Sequence, residues 1–387
     1  MTAPILAHDE DEQALRSAAR SFLAAHSPIS DLRRLRDEPG SAGMCPVVWK
    51  KMAELDWLGL AVDEHQGGSG AGYFQQGIIF EELGRALVLS PLLAVAEALP
   101  CLDGSHGTPV APQLASVLAG TTIVCLAHRE SAHYIPELVA TTARATDSGF
   151  VLSGRKQFVA YAGLADELII SARLSGQPRD RNGLGLFVVD SAARGLEVEP
   201  LRLIDSTPRA HVRLDDVHVG ASALIAQNVT AADLLDRCHD VATALQAAEM
   251  LGSLSAALEL TVTHLKNRVQ FEAIIGTFQA LQHRAARMLI AQELATSAVR
   301  AALRSLDGSD LDGTAVDVSV AKVTVNEAFS LIAREGVQMH GGMGMTDEAD
   351  IGLYLKRSQT AAALGGDSGY HRRRIARHKL PQDSAPA

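Results

Sequence analysis

The feature that most restricts this chain is its change of hydrophobic period, which happens twice. Ala231 to Arg268, Thr277 to Leu306 and Thr314 to Gln338 carry sustained helical apolar spacing with few breakers, and helices of that length bury their stripes against one another in a bundle. The stretch from Thr121 to about Ala226 has no such period. Its β-rich runs are short: Thr122 to Leu126, Gly149 to Ser153, Glu167 to Ile170 and Leu184 to Val189. Gly, Asp, Asn and Ser separate them, the pattern of an antiparallel β-domain. From Glu10 to about Leu118 the spacing is helical again, as in Ala14, Ala18, Phe22 and Leu23. The glycine-rich run Asp63 to Gly70 interrupts it as a turn, and a helix resumes through Ile78, Ile79, Leu83 and Leu87.

The expected class is therefore α+β. An N-terminal helical domain occupies 1–118, a middle antiparallel β-domain 119–228 and a C-terminal four-helix-type bundle 229–380, with a frayed tail at 381–387. A length of 387 residues suits two or three domains.

Charge and cysteine content exclude several functions. The formal net charge of −10 gives no general attraction for nucleic acid or an anionic membrane. No uninterrupted apolar run approaches the roughly 20 residues that span a bilayer, and His8 to Glu12 is charged where a signal peptide needs an apolar core. Cys45, Cys101, Cys125 and Cys238 lie far apart without a CxxC pair. That predicts no metal site and reduced thiols in a cytoplasmic protein.

Six phrases carry chemistry when taken together: Trp49 to Leu60 with the Glu64 to Gly70 turn; Glu81-Glu82-Leu83-Gly84-Arg85; Leu214 to Val219; Arg268-Val269-Gln270-Phe271; Ile275 to Ala280; and Gln338 to Met345. Alone, each has a plain reading: Gly341-Gly342-x-Gly344 is a helix C-cap and turn, and Arg268 a surface arginine at a helix C-terminus. In this order over nearly the whole chain they resemble the acyl-CoA dehydrogenase family. The resemblance implies FAD as cofactor, an acyl-CoA substrate, α,β-dehydrogenation in lipid β-oxidation, an electron-transfer flavoprotein as acceptor and a homo- or heterotetramer of homologous subunits. It assigns Arg268, Phe271, Gln279, Gln338, Gly341 and Gly342 to FAD, reaching across a subunit interface to a neighbour's cofactor. A planar, permanently charged guanidinium suits a diphosphate, and glycines let backbone N–H groups approach it.

The same resemblance locates two absences. Counting back seven residues from Arg372 puts Gly365-Gly366 where most members carry a base Glu-Gly pair. A minority place the glutamate 26 residues before the motif arginine, which is Ala242 here. Glu249, in the apolar run Ala247 to Leu251, reads as a buried acid with a raised pKa and is the substitute candidate. Asp240 falls where members contact the pantetheine arm, although by itself it reads as a solvated acid near a helix start. Three further departures affect this chain's own flavin: Leu126 to Ala132 replaces the usual Thr/Ser-Glu-Pro phrase, Phe158-Val159-Ala160 replaces Trp-Ile-Thr, and Glu272 replaces a glycine. Those losses favour a subunit that shares its active site with a sister chain. The alternative is a non-catalytic FAD-contacting subunit or scaffold of the same fold.

Overall fold

The computed structural model describes residues 10–38, 43–104 and 111–379; the expected tail at 381–387 lies outside them. The chain forms two compact units. Unit 1 comprises the described residues of Met1–Arg34, with Tyr73–Val88 and Thr243–Ala387; unit 2 comprises Leu35–Gly72 and Leu89–Ala242.

Unit 1 is helical. It contains α1 (Glu10–His26), α4 (Tyr73–Arg85), the larger part of α7 (Asn228–Asn267), α8 (Gln279–Leu306), α9 (Leu311–His340), α10 (Ile351–Ala363) and α11 (Ser368–Lys379). The three long expected helices all form, within a few residues of the bounds read from periodicity. Asp310 caps α9 by accepting from Gly313 N–H.

Glycines set how closely α4 and α7 approach. A Cβ on Gly84 would lie 1.8 Å from Glu249 O, and one on Gly252 would lie 1.7 Å from Glu81 O. The two helices thus touch backbone to backbone, and Ser253 Oγ donates to Gly84 O at 2.9 Å across the contact. The Glu81-Glu82 pair beside it binds Arg16 and Arg20 of α1; Glu82 is only 1% exposed and accepts from both. One short phrase thereby supplies a packing notch and the counter-ions that fasten α1.

α7 is long and apolar enough to cross a membrane, but 83% of its apolar window is buried in the protein. Its hydrophobicity reflects a core helix surrounded on all sides.

Unit 2 is built on an eight-stranded sheet. Its strands are β1 (Val124–Ala127), β2 (Thr142–Thr146), β3 (Gly149–Ala160), β4 (Glu167–Arg173), β5 (Leu184–Asp190), β6 (Leu196–Arg202), β7 (Pro208–Gly220) and β8 (Leu224–Gln227). The order is β6-β7-β3-β2-β4-β5-β8, with β1 on β4. Contrary to the expected antiparallel domain, the sheet is mixed. β1 runs parallel to β4 over Val124↔Glu167 to Ala127↔Ile170, and β2 meets β4 in parallel at Thr142↔Arg173. The long connection from β1 to β2 lets both use one edge of β4; residue patterns within single strands carry no sign of that. β2, β6, β7 and β8 also escape the periodicity reading: β2 and β6 are mostly exposed, and the alternation of β7 breaks at Asp215-Asp216.

Unit 2 also holds α3 (Pro46–Glu54), α5 (Leu92–Ala98) and α6 (Leu114–Leu118), while α2 (Ile29–Asp37) has residues in both units. α3 buries Val48, Trp49, Met52 and Ala53, and Trp49 Nε1 donates to Gly120 O at 2.9 Å. The Gly67-Gly68 turn is sterically required: Gly67 has φ +90°, and a Cβ on Gly68 would lie 2.1 Å from Val62 O.

Candidate functional site

The residues assigned to a dinucleotide gather at one end of unit 1. Arg268 follows the last turn of α7, its N–H donating to His264 O at 2.9 Å. His264 stacks on His340 at 4.3 Å between ring centroids, joining the ends of α7 and α9. That stack brings Arg268 to the same corner as Gln338 and the Gly341–Met345 turn. Burial holds the His264 imidazole below its ordinary pKa, with His340 and Arg268 adding to the effect.

The corner is open. Arg268, Gln279, Gln338, Gly341 and Gly342 are exposed, and a Cβ on Gly341 or Gly342 would meet nothing within 4 Å. Gly344, in contrast, is buried against Val337 O, 2.5 Å from where its Cβ would be. Gly341 and Gly342 therefore expose backbone, whereas Gly344 serves packing. Nearby, β9 (Val269–Gln270) and β10 (Ala273–Ile274) make a hairpin whose tip is Phe271-Glu272. Both tip residues have positive φ, 54° and 60°. Glu272 thus carries the strain that the family's usual glycine avoids. Phe271 is 86% exposed, touching Phe278 edge-on at 6.2 Å. A permanently charged donor, two exposed amides and uncovered backbone suit a diphosphate approaching from outside the unit.

Gly365 has a different setting. Its φ is +67°, and a Cβ there would stand 3.3 Å from Gln246 Oε1 and 3.6 Å from Thr243 Oγ1. Behind it, Lys322 of α9 is fully buried. Its Nζ donates to Gln246 Oε1 at 2.5 Å and Ala361 O at 2.7 Å. Burial pulls the Lys322 ammonium down to about 7, against the attraction of Glu249. His371 of α11 closes the other side, Nε2–H donating to Gly365 O at 2.9 Å; burial holds it down to about 4.

Glu249 lies on α7 in the same unit, where Arg357 Nη1 donates to its Oε1 at 2.5 Å. Arg357 is 5% and Glu249 18% exposed in the side chain, so the carboxylate sits in a largely desolvated ion pair. Arg372, which fixed the register, pairs at the surface with Glu327. Lys322, Gln246 and His371 were not singled out in the sequence. A signal existed for Lys322: it shares the buried face of α9 with Val318, Val325 and Phe329, where a lysine demands partners.

Unit 2 contains the remaining assigned positions. Asp240 is 7% exposed, well inside α7 rather than at a solvated helix start. Ala242 is partly exposed on the same helix. At Phe158-Val159-Ala160 the β3–β7 register shifts between Lys156 and Val159, and Phe158 takes φ +54°. The bulge re-aims its ring. The Arg129 guanidinium lies 4.6 Å over that ring, and His211 meets it edge-on at 5.3 Å. One face of the aromatic residue that replaces the family's tryptophan is thus covered by Arg129, and Ala160 offers no hydroxyl.

The altered phrase Leu126 to Ala132 also anchors a buried network. Lys156 Nζ donates to Glu130 Oε1 at 2.5 Å and Ser171 Oγ at 3.0 Å. His128 lies 2.8 Å from Ser171 Oγ through Nδ1 and donates to Pro136 O at 2.7 Å through Nε2. Burial brings Lys156 down to about 8 although Glu130 supports its charge. Among the described residues no group of three or more His, Cys, Asp or Glu could hold a metal.

Family models match along the chain: the acyl-CoA dehydrogenase N-terminal domain at 9–109, the middle domain at 131–217 and the C-terminal domain at 237–380. The acyl-CoA dehydrogenase IpdE2 of Mycobacterium tuberculosis is 27% identical over 356 residues, covering 92% of this chain and 93% of that protein. Among solved structures, a variant of the Tcur3481-Tcur3483 steroid ACAD has a TM-score of 0.83 at 28% identity, covering 95% and 97% of the two chains. The ChsE4-ChsE5 complex of Mycobacterium tuberculosis has the same fold, with a TM-score of 0.85 at 23% identity and full coverage of both chains. With three successive domain models in order and the fold in common, the chain belongs to the acyl-CoA dehydrogenase family, oxidoreductases that act on acyl-CoA.

Proposed function

We propose that the chain is a subunit of an FAD-dependent acyl-CoA dehydrogenase and shares its active sites with a homologous partner. The carrying observation is the contrast between an open Arg268–Gln338–Gly341 corner and a Gly365 loop with no side chain to act as base. In this reading Arg268, Gln279 and Gln338, with the backbone of Gly341 and Gly342, hold the diphosphate of an FAD seated largely on the partner. Phe271, raised on its hairpin, packs against the same cofactor. When bound, FAD supplies the hydride acceptor for α,β-dehydrogenation; the α-proton needs a carboxylate within hydrogen-bond reach.

Neither Gly365 nor Ala242 can supply that carboxylate. Glu249 is the acid this chain offers, and Arg357 holds it as a charged partner, so its availability as a base depends on loosening that pair. Asp240 remains the proposed contact for the pantetheine arm. Electron transfer to a separate flavoprotein completes the cycle. The likeness to a protein described as a steroid ACAD supports a bulky acyl group.

A second reading, an FAD-contacting subunit without its own chemistry, draws on Arg129 covering Phe158. Production of the chain alone, and together with a homologous subunit from the same organism, separates these readings. Flavin absorbance and acyl-CoA oxidation are expected only on co-production. Both appearing with the chain alone sinks the shared-site reading. In the active assembly, Glu249→Gln abolishes turnover if Glu249 is a base; near-normal turnover assigns the chemistry to the partner.

A further inference from the structure

Unit 2 holds a group of polar side chains whose needs the protein does not meet. Arg209, on β7, donates through Nη1 to Phe158 O at 3.2 Å, but its Nε is buried with no hydrogen-bond partner. Two residues along the same strand face, His211 Nδ1 is buried in the same state. Phe158 joins the group: the Arg129 guanidinium lies 4.6 Å over its ring and the His211 ring is 5.3 Å away. Arg129 is fixed in place because Nε donates to Ser131 O at 2.8 Å and Nη2 to Ala132 O.

Neither Arg129 nor Arg209 has an ion pair among the described residues. The nearby acid is Glu97 of α5, with His239 Nδ1 3.9 Å from its carboxyl group. Burial raises Glu97 to about 7 despite the pull of Arg209. Burial also holds Arg129 below its ordinary value, and the Arg209 charge adds to that. Two guanidiniums on one phenylalanine, at its ring and at its carbonyl, with an unsatisfied buried N–H, suit an anionic acceptor.

We propose that Arg129, Arg209 and His211 around Phe158 form a carboxylate-binding basin that takes the distal carboxylate of an acyl group carried as its CoA thioester. The guanidiniums supply charge and the free Nε a directed donor. The Phe158 ring supplies an apolar wall for the carbon chain beside the carboxylate. A carboxylate fits better than a phosphate dianion, because Glu97 adds negative charge above neutral pH. The basin itself needs only the carboxylate; the thioester part rests on the proposed dehydrogenase function.

Calorimetric titration of the full chain, alone and in its co-produced assembly, tests both parts. The probes are adipate against hexanoate, adipyl-CoA against hexanoyl-CoA, and inorganic phosphate. Adipyl-CoA is expected to bind about 10-fold or more tightly than hexanoyl-CoA, the scale of one charge-assisted hydrogen bond. Arg209→Met should erase that advantage and leave hexanoyl-CoA binding unchanged. Arg209→Lys, which keeps the charge without the fork, should retain part of it. Ligand-free melting of both variants verifies folding. Equal binding of the diacid and monoacid forms by the wild-type chain overturns the basin, as does phosphate displacing adipate at equal concentration. Adipate binding that depends on Arg209, with neither CoA ester bound, keeps the basin and removes the acyl-CoA reading.

Discussion

Gly341 and Gly365 both have positive φ, +62° and +67°, in one helical unit, yet opposite surroundings. A side chain at Gly341 would project into open space, whereas one at Gly365 would press on Gln246 Oε1 at 3.3 Å. The first glycine leaves its backbone uncovered. The second is enclosed by residues that have found partners in each other: Lys322 with Gln246 and Ala361 O, and His371 with Gly365 O. A carboxylate at this position would meet a buried amine, Lys322, that already has other acceptors.

The largest test of that contrast is Lys322→Ala. It leaves a cavity and strips Gln246 and Ala361 O of their donor, so a loss of about 3 kcal/mol in unfolding free energy is expected by denaturant titration. A loss below about 1 kcal/mol would mean that the Gly365 side is as loosely organised as the Gly341 corner. Next, Arg268→Ala in the flavin-bearing assembly should lower flavin retention about 10-fold or more in dialysis, without moving the melting temperature of the isolated chain. Full flavin retention breaks the assignment of the open corner.

Alanine at the two glycines measures the contrast directly. Gly341→Ala should cost about 1–3 kcal/mol from the backbone alone, because φ +62° with ψ −141° is a region that essentially only glycine adopts. Gly365→Ala should cost more, since Gln246 must also give way; equal costs would show that the enclosure is soft.

The smallest effect is a pH slope. His371 is held down to about 4 in the folded chain, against an ordinary value of 6.5. The unfolded chain therefore binds more protons between those values, and stability should rise with pH across that window. His371→Gln should flatten that part of the curve in melts from pH 4 to 7. An unchanged slope would locate the titration elsewhere.

Much of the fold was legible from period alone. The long stripes of α7, α8 and α9 identify themselves, and α3 follows from Trp49, Met52 and Ala53. The mixed sheet was not legible, since Val124–Ala127 and Glu167–Arg173 look alike whether paired parallel or antiparallel. The same divide runs through the candidate site. Gly365 and Ala242 show by their identity that neither position carries a carboxylate. The pairing of Glu249 with Arg357 joins residues 108 positions apart, and no local pattern records it.

The sequence by itself determined the family, the order of helical and β segments, the glycine turn after α9 and the absence of a glutamate at residue 365. Each is a matter of residue type at a fixed position or spacing. Only the tertiary structure decided that Gly84 and Gly252 are contact points between helices, that Lys322 fills the space behind Gly365, and that Arg129 covers Phe158 while Arg209 keeps an unmet donor. Those facts depend on which distant atoms approach within a few ångströms, and close approach is a property of packing rather than of order along the chain.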